Sequence, residues 1–388
     1  MPNLIRLLFM FSQKFLRAAA VASALLLPCP VVFAGFGRDH KPAGAVYTTT
    51  NAVDGNRVLV YERSPSGTLK LSDSFPTGGR GTGAGLGNQS GLVLTRDGNW
   101  LLSVNAGSAE VSLFEVADDL LVLRDIVPSG GALPLSIAVD HNLVYVLNGG
   151  GSATTPDNIT GFVLSCGDGR LTPLPSSTRA LSGTAVSPAQ VGFTPSGHVL
   201  VVTEKGTNQV TTFTVGDDGL ASMAHPQASV GATPFGFAFD RWDRLFVSEA
   251  FGGAVDASAM SSYAVSNAGG LTTISGSVLT HQTAACWVAV DPAGRFAYTT
   301  NTGSSSISGY RIAHNGAISL LDANGVTGST PAGSSPIDVA ITPDGKFLYA
   351  LSGGSNTISG FRVRHDGGLE SIDTEGGLPA GTNGLAAQ

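Results

Sequence analysis

The stretch Phe296–Ile312, "FAYTTNTGSSSISGYRI", is answered 51 residues later by Phe347–Val363, "FLYALSGGSNTISGFRV". Repetition at a period of roughly 20–50 residues marks folds built by stacking one supersecondary unit on the next. The most regular part of the phrase is an apolar residue, two small or polar residues, an aromatic, any residue, then an aliphatic. Seven copies occur: Val58/Tyr61, Val111/Phe114, Ile159/Phe162, Val210/Phe213, Met260/Tyr263, Ile307/Tyr310 and Ile358/Phe361. The six steps from Tyr61 to Phe361 average (361 − 61)/6 = 50 residues. Only the first copy breaks the pattern, with Arg63 where the aliphatic belongs.

Each copy but the first is preceded by a short apolar strand, a tight turn and a second strand, as in "PIDVAITPDGKFLYALS" at 336–352. Alternation such as Val288, Val290 puts every second side chain on one face, as a strand requires. "PDG", "PSG" and "PAG" suit tight turns, because Pro presets φ and Gly accepts positive φ. A fourth strand follows each aromatic copy after another Gly turn. Four short antiparallel strands per ~50 residues make one β-propeller blade.

A lone blade exposes two apolar faces and two edges. A ring of blades buries the faces and leaves only short edges. The first copy has no inner strand before it, whereas the last residues, "PAGTNGLAAQ", resemble "PAGSSPIDVAI" at the start of the seventh blade. The C-terminus is therefore expected to supply the missing strand of blade one. The fold class is all-β: a seven-bladed β-propeller of four-stranded antiparallel blades over residues 36–388.

Residues 1–34 differ. Arg6, Lys14 and Arg17 precede an apolar run, Ala18–Leu27, and "VFA" closes before Gly35. That pattern reads as a secretory signal peptide cleaved near Ala34, so the chain is expected to be secreted or periplasmic. The run is too short and too broken by Pro28 and Pro30 for a stable membrane span. Pro28 also spoils the likeness of "LLPC" to a lipoprotein acylation site. Removing the segment takes three cations from a formal charge of −7, leaving −7 − 3 = −10, which argues against nucleic acid as a partner. Cys29 leaves with the segment. Cys166 falls in a hairpin turn and Cys286 on an inner strand three blades away, so two separate thiols and no metal site are expected.

"AYTTN", "VYVLN", "LLSVN" and "LYALS" look like the YVTN-type blade strand. The whole arrangement resembles the seven-bladed lactonase family, which includes 6-phosphogluconolactonase-type and 3-carboxymuconate-cyclase-like proteins. "GTGAGLGNQSGLVL", "VTEKGTNQV" and "SEAFGGAVDAS" look most like its exported bacterial members. The resemblance implies a hydrolase or lactonising cyclase acting without a cofactor at one mouth of the central channel, with Glu, Arg and His side chains. Glu249 matches the position of a family Glu, and Glu204 falls where relatives carry an acid before a Gly. By contrast, 233–239 carries no Arg-His pair and Gln190 stands where relatives have a His-containing strand. No Arg or Lys cluster that would hold a phosphate occurs.

Three loops are expected to converge on the mouth. Gly78–Gly91 brings Arg80, Asn88 and Gln89 but lacks the strand–loop–helix context of a phosphate-binding loop. "LTHQTAACW" brings His281, Gln282 and Cys286, with Trp287 beside it, and "SEAFGGAVDASAM" brings Glu249 and Asp256. Glu249 and Glu204 occupy corresponding places in successive blades, where two acids raise one another's pKa and one becomes a base for water. His281 could take that role, with Lys205 or Arg80 steadying an oxyanion. Asn88, Gln89, Gln190, Gln282 and Trp287 are the candidate substrate contacts. The competing reading is that these groups cap open strand ends and bind channel water. His141, His198, His314 and His365 lie in hairpin turns, and no nucleophile elbow is present. The expectation is a monomer acting on a small carboxylated or sugar-derived lactone. The alternative is a non-enzymatic propeller that binds a ligand, glycan or protein.

Overall fold

The structure is a computed structural model that describes residues 43–117, 120–150 and 156–388. The N-terminal segment and Cys29 lie outside the described residues. The described residues form one compact unit. It contains seven antiparallel sheets in ring order; six have their earliest strand innermost, and in the first the innermost strand is Asn383–Ala387. The inner strands of blades 2 to 7 are Leu92–Leu94, Pro134–Asp140, Pro188–Phe193, Pro234–Phe239, Ala285–Val290 and Pro336–Ile341. The fourth strands of blades 3 and 6 are each split into two short pieces. The only helical turn among the described residues is Phe251–Gly253.

Blade 1 is completed by the other end of the chain. Asn383–Ala387 pairs antiparallel with Gly44–Thr49, Tyr47 opposite Ala386 and Val46 opposite Ala387. The odd residue of the first repeat finds its reason here. Arg63 is 7% exposed, donates from Nε to the Gln388 carbonyl at 3.2 Å and from Nη2 to the Ala43 carbonyl at 2.7 Å, and lies over the Phe347 ring. An aliphatic side chain could pack in that place but could not bind two strand-end carbonyls.

The core follows the ring. Seven buried clusters fill the seven gaps between consecutive blades, such as Phe296, Tyr298 and Ile307 of blade 6 against Leu348, Ala350 and Phe361 of blade 7. The seven repeat aromatics are all buried within them, as inter-blade packing requires. Burying each such ring contributes about 1.5–3 kcal/mol. The YVTN-type tyrosine adds a directional bond. The hydroxyls of Tyr145, Tyr298 and Tyr349 donate to the carbonyls of Gly219, Gly367 and Gly67 in the following blade, at 2.9, 2.9 and 2.8 Å. Those glycines have φ of +78°, +93° and +95°, so the outer Gly turn of one blade is shaped to receive the tyrosine of its neighbour. That is why the phrase repeats.

Candidate channel-mouth site

The inner strand of each blade has one free edge, which faces the axis. Buried N–H groups there must find partners. In three blades the preceding blade supplies one. Ile137 N donates to the Ser90 carbonyl (2.8 Å), Val191 N to Ser136 Oγ (3.1 Å) and Phe237 N to Gln190 Oε1 (2.7 Å). Blade 5 has Gly236 at the equivalent place and no side chain to offer. Gln89 serves instead, reaching from the loop that enters blade 2: its Oε1 accepts from Val288 N at 3.0 Å and its Nε2 donates to the Val288 carbonyl at 2.7 Å. A Cβ on residue 236 would stand 2.1 Å from Gln89 Oε1, so the glycine makes room for this crossing.

The rest of Gly78–Gly91 confirms the path. Asn88 Nδ2 donates to the Leu135 carbonyl in blade 3, and Asn88 Oδ1 accepts from Asn383 Nδ2 of blade 1 at 3.0 Å. The Asn88 carbonyl accepts from the Trp287 indole N–H of blade 6 at 2.7 Å. Gln89 N donates to the Ala189 carbonyl of blade 4 at 3.1 Å. A segment that touches blades 1, 3, 4 and 6 can lie only on the axis. Asn88, Gln89, Gln190 and Trp287 are all buried, so four of the five expected substrate contacts are brought together by the loop that fills the channel.

Lys205 sits over this plug. It follows the second strand of blade 4, its Nζ donates to the Gly87 carbonyl, and it lies 4.6 Å from the centre of the Phe235 ring. Burial lowers its pKa to about 8, and the Cys286 thiol beside it opposes that shift slightly. Burial likewise pushes Cys286 up to about 12. On the inner strand of blade 7, Asp338 is 3% exposed; burial holds its carboxyl well above the usual range, against backbone donation from Val339 and Leu385.

The two acids are placed differently from the reactive pair expected. Glu204 and Glu249 do end the second strands of successive blades, and both are wholly buried. Glu249 Oε1 accepts from Gly231 N (2.8 Å) and Ser261 Oγ (2.5 Å), and Oε2 from Ser277 Oγ (2.6 Å). Glu204 accepts from Ser182 N (3.1 Å), Ser182 Oγ, Thr211 Oγ1 (2.7 Å) and Thr207 Oγ1 (2.8 Å). Each carboxylate thus fastens the loop arriving from the previous blade to its own blade. The other blades carry Thr50, Asn105, Asn148, Asn301 and Ser352 at this position, all buried. The repeat itself held that signal, since "LLSVN", "VYVLN", "VVTE", "FVSE", "AYTTN" and "LYALS" end alike in a polar residue.

His281 and Arg80 are exposed and stand in the loops entering blades 6 and 2. Gln282 bonds outward into blade 6, Nε2 donating to the Asn324 carbonyl at 2.9 Å and Oε1 accepting from Ser306 Oγ at 3.0 Å. Phe235, Asp338 and Asn383 were missed by sequence reasoning, because only the ring closure brings them to the axis. Cys166 is exposed and Cys286 buried, both as free thiols. His141, His198, His314 and His365 are exposed in their turns. Among the described residues no cluster of His, Cys, Asp and Glu fits a metal ion, and no helix is long and apolar enough to cross a membrane.

Solved structures share this architecture. A candidate 6-phosphogluconolactonase from Bacteroides uniformis matches with a TM-score of 0.68 and 19% identity, over 88% of this chain and 99% of its own. A periplasmic gluconolactonase from Pseudomonas aeruginosa matches at 0.66 and 15%, over 88% and 98%. Hydrazine synthase from Kuenenia stuttgartiensis matches at 0.57 and 16%, over 81% and 94%. At these identities the likeness establishes the seven-bladed fold. No family model and no curated protein sequence matches the chain.

Proposed function

We propose that the chain opens the ring of a small polar lactone at the channel mouth, with Lys205 as the cation that steadies the carbonyl oxygen. The single observation behind this reading is the placement of Lys205, an ammonium partly stripped of water, on the axis and held by one backbone carbonyl that a substrate oxygen could replace. A donor in such a place gains strength as charge develops on an oxygen, and one such donor contributes on the order of 10²–10³ in rate. Water adds to the acyl carbon, the ring C–O bond breaks, and the released alkoxide takes a proton to give the hydroxy acid. His281 is the base this reading assigns to the water. Arg80, on the same rim, binds a substrate carboxylate. Glu204 and Glu249 act as loop fasteners. The gluconolactonase among the structural neighbours supports the choice of lactone chemistry.

A second reading, a propeller that binds its ligand without turnover, has one observation in its favour. Asn88 and Gln89 occupy the axis with their polar groups already paired. A panel of sugar and aliphatic lactones separates the two. Turnover that falls at least about a hundredfold in Lys205→Met, with the melting temperature held, fits the lactonase. Glu249→Gln should keep its turnover per folded molecule. Absence of turnover across the panel, or full turnover in Lys205→Met, refutes the first reading. We also propose that the chain is exported as a monomer after cleavage near Ala34, which N-terminal sequencing of the periplasmic and secreted fractions tests.

A further inference from the structure

Two clefts between blades lie on the other face. Hairpin turns between first and second strands point away from the mouth, and between the turns of blades 2 and 3 they enclose a cleft of about 330 Å³. That is at the small end of ligand pockets, which run from roughly 300 to 1,000 Å³, so its occupant has about the size of an amino acid. Trp100, Val139 and Leu164 give it an apolar wall; Arg96, Asp97 and Asp140 add charges of both signs. Arg96 is exposed and makes no hydrogen bond or ion pair with any described residue. Asp97 accepts from Thr95 Oγ1 at 2.6 Å, Asn99 Nδ2 at 2.8 Å and Asn99 N at 3.1 Å, which holds its carboxyl below the usual range and keeps it ionised. Asp140 faces His141 Nδ1 at 3.1 Å.

One free cation and two carboxylates beside an apolar wall select among simple ligands. A plain carboxylate would meet Arg96 but also both acids. A plain amine would satisfy the acids and leave Arg96 idle. A molecule with adjacent carboxylate and ammonium groups and an apolar body engages all of them, each through a charge-assisted bond. We propose that this cleft binds a free apolar α-amino acid, its carboxylate on Arg96, its ammonium between Asp97 and Asp140, and its side chain against Trp100, Val139 and Leu164. The site is separate from the channel mouth and independent of any lactone chemistry.

Cys166, an exposed thiol in the cleft lining, provides the readout. The experiment titrates the purified full chain with L-phenylalanine, L-leucine, N-acetyl-L-phenylalanine and L-phenylalanine amide. Calorimetry follows binding, and mass spectrometry follows the rate of iodoacetamide addition to Cys166. Saturable heat with either free amino acid, at least tenfold weaker binding of the two blocked forms, and several-fold slower Cys166 alkylation are expected. Arg96→Gln should weaken binding at least tenfold, whereas Lys205→Met should leave it unchanged. Absence of saturable heat, equal binding of the amide, or binding without protection of Cys166 would each overturn the proposal.

Discussion

Gln89 is the residue whose removal best tests the filled axis. Its side chain pairs both backbone groups of Val288, accepting at 3.0 Å and donating at 2.7 Å, inside a channel where Gln89 is 7% exposed. Gln89→Ala leaves one buried N–H and one buried carbonyl without partners, at about 1–3 kcal/mol each. Water entering the vacated space recovers part of that, so a net loss of about 2–5 kcal/mol is expected. For a domain of this size a melting temperature falls by about 2 °C per kcal/mol, giving a drop of about 4–10 °C by calorimetry. Hydrogen exchange at the Val288 amide should accelerate, while outer-strand amides change only with global stability. Gln89→Glu sharpens the test. It keeps the acceptor for Val288 N but sets a carboxylate oxygen against the Val288 carbonyl, so it should destabilise at neutral pH. It should recover on acidification, because only the protonated acid can donate. A melting temperature within 1 °C of the parent, with unchanged Val288 exchange, would mean that the loop does not seal the axis in solution.

Other perturbations address the ring and its one tuned cation. Tyr349→Phe deletes the bond to the Gly67 carbonyl at 2.8 Å and should cost about 1 kcal/mol by chemical denaturation; no change would place that hydroxyl in water. Arg63→Leu removes the two bonds to the Gln388 and Ala43 carbonyls, so exchange in Asn383–Ala387 should rise before that of any other inner strand. Lys205 has its pKa lowered to about 8 from 10.5, so between those values the unfolded chain holds a proton that the folded one has lost. Its contribution to stability therefore rises with pH across that window. Relative to Lys205→Met, the parent should gain stability from pH 8 to 10, and parallel curves would contradict the burial. The same shift predicts that lactone turnover declines above about pH 8, as the ammonium is lost.

Much of the architecture was legible because a propeller repeats its packing. The aromatic of each phrase, the Gly turns and the kinship of "PAGTNGLAAQ" with "PAGSSPIDVAI" all follow from one rule, that every blade offers its neighbours the same surface. Even Arg63, the odd member, marked the place where the ring is sealed. The site was less legible. Gly78–Gly91 has no period to align, and nothing local says that Gln89 will bond Val288 199 residues away. Glu204 and Glu249 were read correctly as equivalent. Their equivalence with a threonine, asparagines and a serine in the other blades points to a shared fastening task.

The strand that completes the first sheet consists of Asn383–Ala387, while its partner strand begins at Gly44. A polypeptide emerging from its N-terminal side must therefore keep a half-made sheet with a bare, pairing-competent margin until Asn383–Ala387 has followed. Whatever guards that margin in the meantime, a chaperone or the chain's own later blades, acts on a sheet that stays one strand short until Asn383–Ala387 arrives.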